Sequence, residues 1–349
     1  MPSTARLSDS PAPPKRMDIG RWDGAENGIC AAVDLGTNNC RLLVARPARG
    51  GFRVIDAFSR IVRLGEGVDT NGRLSPRSMG RTIGALRICA AKIRRRGVTA
   101  SRAVATEACR KASNFDQFRD RVVEETGLRL ELISPEEEAR LALSGCAPLL
   151  NTQVRHAIVF DIGGGSTEVM WLQVDPDTGR AALIDSVSMP LGVVNLSERF
   201  GGNRMSVDAY ETIIDEVISV LAWFDAEYDI AGLIADGQVQ MIGSSGTVTT
   251  LAGVSMGLPR YDRAKVDGSH LDLETAITVS RTLLSLDFEG RAAEPCIGRE
   301  RSDLVVAGCA VFEAIGRLWP VPRLRIADRG VREGILFDLM TADGAMRAG

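Results

Sequence analysis

From Ile29 onward the chain alternates short apolar runs with brief polar interruptions. "ICAAVDL" is a nearly unbroken apolar run of strand length, "GTNN" a polar turn, "CRLLVARP" a second apolar run, and "GFRVIDAFSRIVRLG" a third. Runs of this length joined by a few Gly- and Asn-rich residues predict a hairpin followed by a third strand. "SPRSMGRTIGALRICAAKIRRRG" then carries helical spacing, with Ser75 as its cap, Pro76 at its first position and Gly97 as its stop. "SRAVATEA" predicts a strand, and "NFDQFRDRVVEETG" a helix capped by Asn114 and stopped by Gly127. "RLELI" predicts another strand, and "SPEEEARLALSGC" a helix that begins at Ser134-Pro135.

The same order then recurs. "RHAIVFDIGGGSTEVMWLQV" reads as strand, Gly-rich turn and strand, and "AALIDSVSMP" supplies a third strand. Helices, further strands and another Gly/Ser/Thr loop follow in 201–257. Two units thus open alike, each with an aspartate at the end of its first strand, although they share few identities beyond D-x-G. The expected fold is α/β, with two lobes and a cleft between them. The first lobe covers 29–141, with a last helix near 331–349 packing back on it, and the second covers 142–330.

Composition narrows the class. At 349 residues, 45% hydrophobic and 25% charged, the chain is ordinary globular material of about two domains. Charges or glycines break every apolar stretch within about ten residues, so no segment reads as a membrane span. Residues 1–28 have no apolar core and read as a loosely packed tail, not a signal peptide. Seven cysteines without a CxxC suggest reduced core thiols in a cytoplasm, and two histidines make a His-based metal site unexpected. Residues 29–150 hold 21 Lys+Arg against 13 Asp+Glu, a net of +8; the first 28 residues balance, which leaves −11 for 151–349. A basic first half suggests an anionic ligand near the first lobe; for "KIRRRG" alone a solvated helix face is an equal reading. Aromatics are 5% and not interleaved with basic residues, so nucleic acid is not an expected partner.

Three segments share one physical design: "VDLGTNNCR" (33–41), "FDIGGGSTE" (160–168) and "MIGSSGTVTT" (241–250). Glycines let successive backbone N–H groups point at one place, and hydroxyls or amides add donors, which makes a nest for phosphate oxygens. Asp34 and Asp161 end their strands beside such turns. A carboxylate next to a phosphate nest is repulsive unless a divalent cation lies between them, so the pair argues for Mg²⁺, with Mn²⁺ as the alternative. On this reading Gly163, Gly164 and Gly165 admit phosphate, Ser166 and Thr167 donate to it, and Asp161 and Glu168 serve the metal or a water. The Lys of a G-x-x-x-x-G-K-[ST] loop is missing, as is a G-x-G-x-x-G fingerprint.

"AAVDLGTNNCRLLVA", "ISPEEEARLALSG", "VFDIGGGSTEVM" and "IGSSGTVTTLAG" together resemble the Ppx/GppA phosphatase family of exopolyphosphatases and guanosine pentaphosphate phosphohydrolases. "ATEACRKASN", "PLGVVNLSERF", "RSDLVVAG" and "DRGVREGIL" extend the likeness over roughly 29–341. The resemblance implies two ribonuclease-H-like lobes of the actin-like ATPase and sugar-kinase superfamily. It implies that Glu138 activates the attacking water, that Asp161 and Glu168, with Asp34, hold Mg²⁺ and order that water, and that Arg110 grips a phosphate. It places substrate phosphates on Gly36, Thr37, Asn38 and Asn39, on Gly163–Thr167, and on Gly243, Ser244, Ser245, Gly246 and Thr247; Arg41, at the end of the first loop segment, is a further expected phosphate contact. It further implies a homodimer.

Departures qualify the likeness. Asn39 stands where the first loop of relatives usually has a hydroxyl, and Asn195 where many have arginine. The chain ends after "REGILFDLMTADGAMRAG", so the HD-type helical extension of long relatives is not expected. The leading expectation is a Mg²⁺-dependent exopolyphosphatase that removes terminal orthophosphate from inorganic polyphosphate. The alternatives are a guanosine pentaphosphate 5′-phosphohydrolase, a sensor that binds guanosine tetraphosphate or polyphosphate without hydrolysing it, and, more distantly, a sugar kinase or actin-like ATPase.

Overall fold

A computed structural model describes residues 28–347, so the tail expected over 1–28 lies outside the described residues save for its last position. Two mixed sheets form the frame. The first contains β1 (Cys30–Leu35), β2 (Asn39–Ala48), β3 (Gly51–Ile61), β4 (Ala100–Ala105) and β5 (Leu130–Leu132) in the order β3-β2-β1-β4-β5. β1, β2 and β3 are antiparallel neighbours, whereas β4 and β5 add in parallel. The second contains β6 (His156–Ile162), β7 (Thr167–Val174), β8 (Ala181–Met189), β9 (Val239–Ser244), β10 (His270–Asp272) and β11 (Arg323–Ala327). Its order, β10-β11-β9-β6-β7-β8, repeats the first arrangement with β10 as an extra antiparallel edge. The duplication seen in the residue pattern is therefore a duplication of topology.

Three apolar clusters stack these sheets into five layers. Helices Pro76–Arg95 and Phe115–Thr126 cover the outer face of the first sheet through Leu86, Cys89, Phe118 and Val122. Helices Val207–Tyr228, Ser245–Ser255, Leu273–Ser285 and Val305–Leu318 cover the outer face of the second. Between the sheets lie Pro135–Cys146 and Val331–Arg347, whose Leu141, Leu143, Ile335 and Leu336 meet Ala32 and Leu43 on one side and Val159 and Met170 on the other. These middle helices cross in backbone contact. A Cβ on Gly145 would lie 2.2 Å from the Gly330 carbonyl oxygen, and one on Gly334 2.1 Å from that of Leu141. The last helix thus belongs to a layer shared by both sheets, and the boundary expected at 141/142 falls inside the unbroken helix Pro135–Cys146. Among the described residues no helix is long and apolar enough to cross a membrane.

The expected caps form at Ser75 and Ser134, whose hydroxyls accept from the N–H groups of Ser78 and Glu137. Asn114 does not cap its helix. Its carboxamide accepts from the Leu74 N–H (2.8 Å) and donates to the Leu74 carbonyl (3.0 Å), tying down the loop before Pro76–Arg95.

Candidate active site

β1 and β6 run through the middle of their sheets and carry Asp34 and Asp161 one residue before their ends, on the strand faces whose Ala32 and Val159 pack into the shared layer. The same region receives the first turns of helices Pro135–Cys146 and Val331–Arg347. A cavity of about 510 Å³ opens there. It is lined by Asp34, Gly36, Thr37, Asn38, Asn39 and Arg41 from the first loop, by Asp161, Gly163, Gly164, Gly165, Ser166 and Glu168 from the second, and by Ser244, Ser245, Gly246 and Thr247 from the third. Glu138 reaches it from the first turn of its helix. The fold therefore gathers on one cleft loops separated by up to about two hundred residues.

The acids there are ill at ease. Burial raises the pKa of Asp34 and Asp161, and Arg41 is the cation that most offsets it in each case. Burial, then the charge of Glu168, lifts Glu138 well above the ordinary carboxylate range, against the pull of Arg110. Burial, then Asp161, pushes Glu168 up to about 7. Its Oε1 accepts from the hydroxyls of Ser166 (2.6 Å) and Ser188 (3.0 Å). Ser166 thus spends its proton on Glu168, and Ser188, on the neighbouring strand opposite Glu168, is a partner the sequence did not point to.

Arg110 does not line the cavity. Its Nε and Nη2 donate to Glu107 Oε2 (3.0 and 2.8 Å), and its Nη1 donates to the Ile133 carbonyl (2.9 Å) and to Glu138 Oε2 (2.8 Å). In this state Arg110 orients Glu138 and does not face the cavity. Thr167 also departs from expectation: it is fully buried, and its hydroxyl donates to the Leu191 carbonyl (2.7 Å). Gly243 lies outside the lining as well, since a Cβ there would meet Phe160 and Val248 in the core.

The glycine triplet answers a packing demand. A Cβ on Gly164 would come 3.0 Å from the Asn38 nitrogen, and one on Gly165 2.5 Å from Thr37 Oγ1, so the first and second Gly-rich loops touch through these positions. The carbonyls of Gly163 and Gly164 accept from the Val193 and Val194 N–H groups at 3.0 and 2.8 Å. Asn195, at the departure from the arginine of many relatives, is buried; its carboxamide accepts from Gly192 N–H and donates to the Gly165 and Pro190 carbonyls. It is a brace for the loop. Ser245 has φ of 81°, a conformation non-glycine residues rarely adopt, and its hydroxyl helps hold Asp161 ionised.

The sequence missed most of the cleft's cations. Arg263, Arg301, Arg329 and Arg332 all line the cavity. Arg263 pairs with Glu333 (2.8 Å) and Arg329 with Asp267 (2.8 Å). Among the described residues neither Arg41 nor Arg301 has a salt-bridge partner. Burial, then the charge of Arg41, lowers the pKa of Arg301, and the nearby Asp328 and Glu300 offset this only in part. The basic run 92–96, by contrast, is engaged elsewhere: Lys92, Arg95 and Arg96 all bind Asp56. Arg301 opens "RSDLVVAG", a stretch without a Gly-rich turn or paired acids to mark it.

Among the described residues no group of three or more His, Cys, Asp or Glu side chains gathers closely enough to hold a metal ion. Asp34, Asp161 and Glu168 share the cavity without forming a cage. The donors nevertheless suit magnesium. All are hard oxygens, the Asn38 and Asn39 carboxamide oxygens are buried without a partner, and Mg²⁺ commonly takes one or two carboxylates and completes its shell with water and substrate phosphate.

Two halves of one duplicated topology that close glycine-rich loops, carboxylates and arginines around one cleft define an α/β enzyme of the phosphoryl-handling class. The chain belongs to the Ppx/GppA phosphatase family, whose sequence model matches residues 43–343. It is 29% identical over 324 residues to exopolyphosphatase 2 of Mycobacterium tuberculosis, covering 88% of this chain and 98% of that protein. It is 29% identical over 312 residues to guanosine-5′-triphosphate,3′-diphosphate pyrophosphatase of Aeromonas salmonicida, covering 89% of this chain and 59% of that one. The crystal structure of the Aquifex aeolicus family member superposes with a TM-score of 0.72 at 28% identity, covering 90% of this chain and 98% of that one.

Proposed function

We propose that this chain is an exopolyphosphatase that hydrolyses the terminal phosphoanhydride bond of inorganic polyphosphate. The observation that carries the reading is the gathering of Arg41, Arg263, Arg301, Arg329 and Arg332 on the cleft that holds Glu138 and Glu168, with Arg41 and Arg301 outside any salt bridge among the described residues. Partly desolvated guanidinium groups outside any salt bridge favour a ligand rich in phosphate oxygens. Glu138, its carboxylate proton affinity raised by burial and its Oε2 fixed by Arg110, accepts a proton from water. The water oxygen bonds to the terminal phosphorus as the bridging P–O bond breaks. Orthophosphate leaves, and the bridging oxygen stays with the shortened chain. Backbone N–H groups of the three loops and the cleft arginines hold the equatorial oxygens, where charge is greatest in the transition state. Asp161 and Glu168, with Asp34, would hold Mg²⁺ or Mn²⁺, which when bound supplies charge neutralisation at the phosphates.

The second reading is hydrolysis of guanosine pentaphosphate. Phe58 and Tyr261 also line the cavity and offer aromatic faces to a base, and the Aeromonas relative is named for such a substrate. A cytoplasmic setting fits the seven buried free thiols; the homodimer rests on the family resemblance alone. Orthophosphate release from long-chain polyphosphate and from guanosine pentaphosphate, each with Mg²⁺, tests both readings. Release from polyphosphate supports the first, and release from the nucleotide alone replaces it with the second. Tight binding of either without release would make the protein a sensor.

A further inference from the structure

Beyond the phosphate loops, the two lobes meet along a second seam. It encloses a space of about 550 Å³ that shares Asn38 and Leu304 with the active cleft. Polar bridges cross it. Arg63, from the turn after β3, donates from Nη1 to Asp303 Oδ2 (2.7 Å) and from Nη2 to Asp303 Oδ1 (3.0 Å) and the Glu300 carbonyl (3.1 Å). Close by, the Gly67 N–H donates to Glu198 Oε1 (3.0 Å).

Arg63 is held for this task at a conformational cost. Its φ is 46°, in the left-handed region that a long side chain seldom occupies. Arg81 fixes the turn by donating to the Val62 carbonyl (2.9 Å) and the Arg63 carbonyl (3.1 Å). The N–H groups of Val62 and Arg63 both donate to the Asn38 carbonyl, at 2.8 and 3.0 Å, and the Gly65 N–H donates to that of Thr37 at 2.9 Å. The backbone of this turn is thus bonded to the first phosphate loop, while its side chain grips the segment 300–303 that carries Arg301.

We infer that Arg63 is an interlobe latch and a positioning residue: its pairing with Asp303 closes the cleft and, in the same event, sets Arg301 opposite Arg41. The middle helices give the lobes a permanent apolar connection, so the seam can part without unfolding either lobe. A partly exposed ion pair suits this role. Its side chains are 34% and 21% exposed, and such pairs are weak enough to break and re-form at each binding event. A ligand that needs both lobes gains affinity in proportion to the closed fraction. The placement of Arg301 toward substrate rests on the proposed function; the latch itself does not.

The test compares the wild type with Arg63→Met, Asp303→Asn and the charge exchange Arg63→Asp/Asp303→Arg. X-ray scattering with and without inorganic tripolyphosphate reads closure, and orthophosphate release from polyphosphate reads function. Each single variant is expected to enlarge the ligand-free radius of gyration and to raise KM about threefold to tenfold with little change in kcat. The exchange is expected to restore both. Unchanged scattering in the single variants overturns the latch, as does a common loss of kcat and thermal stability that the exchange does not rescue. Should no substrate be hydrolysed, the proposed function falls while scattering still decides the latch.

Discussion

Glu138→Gln separates a catalytic base from a structural ion-pair partner because the two roles predict opposite stability changes. Glutamine keeps the side chain's shape and an oxygen that can accept from Arg110, but it removes the charge. Burial and Glu168 together disfavour the ionised form of Glu138 in the folded protein. Each unit by which they raise its pKa is worth about 1.36 kcal/mol of native-state cost above the folded pKa. Arg110 retains its two bonds to Glu107 and one to the Ile133 carbonyl in the variant, so it is not left buried and unpaired. Removing the charge should therefore raise stability at pH 8 by roughly 1 kcal/mol or more, while loss of the base lowers kcat by about 10²- to 10⁴-fold. Urea unfolding at pH 8 without metal and orthophosphate release with Mg²⁺ measure the two effects. A variant that is less stable than the wild type, or that keeps more than about a tenth of its kcat, refutes the reasoning.

Four further outcomes follow from the geometry. Arg301→Gln removes a charge-assisted contact of about 1.5–3 kcal/mol, so kcat/KM for polyphosphate should fall about tenfold to a hundredfold with the melting temperature unchanged. Glu168 titrates near 7 when folded and near 4.5 when unfolded, so its contribution is fully present below 4.5 and lost as pH rises through 7. Metal-free protein should thus lose about 3 kcal/mol over that interval from this group, and Glu168→Gln should flatten the profile measured by denaturant titration. Gly334→Ala drives a Cβ toward the Leu141 carbonyl and should cost about 1–3 kcal/mol, against the usual gain for alanine within a helix; an unchanged or raised melting temperature would contradict the close crossing. Asp56→Asn leaves Lys92, Arg95 and Arg96 without their shared anion and should cost about 1–3 kcal/mol in thermal unfolding, with no effect on catalysis.

Much of the frame was legible because its signals are local. Gly- and Asn-rich turns between apolar runs place both hairpins, Ser75-Pro76 and Ser134-Pro135 mark their helix starts, and the repeated D-x-G exposes the duplication. The three loops and Glu138 also meet on one cleft as their chemistry suggests. The cations were hidden for a non-local reason. The basic excess of the first half drew attention to residues 92–96, yet Asp56 absorbs three of those charges. Arg263, Arg301, Arg329 and Arg332 lie within the half of the chain that is acidic overall, and only folding carries them to the first loop. Gly164 and Gly165 look in sequence like part of a phosphate nest alone, because the Thr37 and Asn38 atoms that crowd them belong to the other lobe.

Every strand of both sheets has been made once synthesis reaches Ala327, yet the layer between them is still missing one of its two helices. The order of synthesis therefore sets an order of assembly. Until Val331–Arg347 emerges and docks against Pro135–Cys146, the sheets lack half of the wedge that spaces them, and Arg332 has not reached the cleft. A nascent chain can build each half early and still have no functioning centre. Competence waits on this helix, and a truncation before it that spares all loop chemistry would leave the centre unassembled.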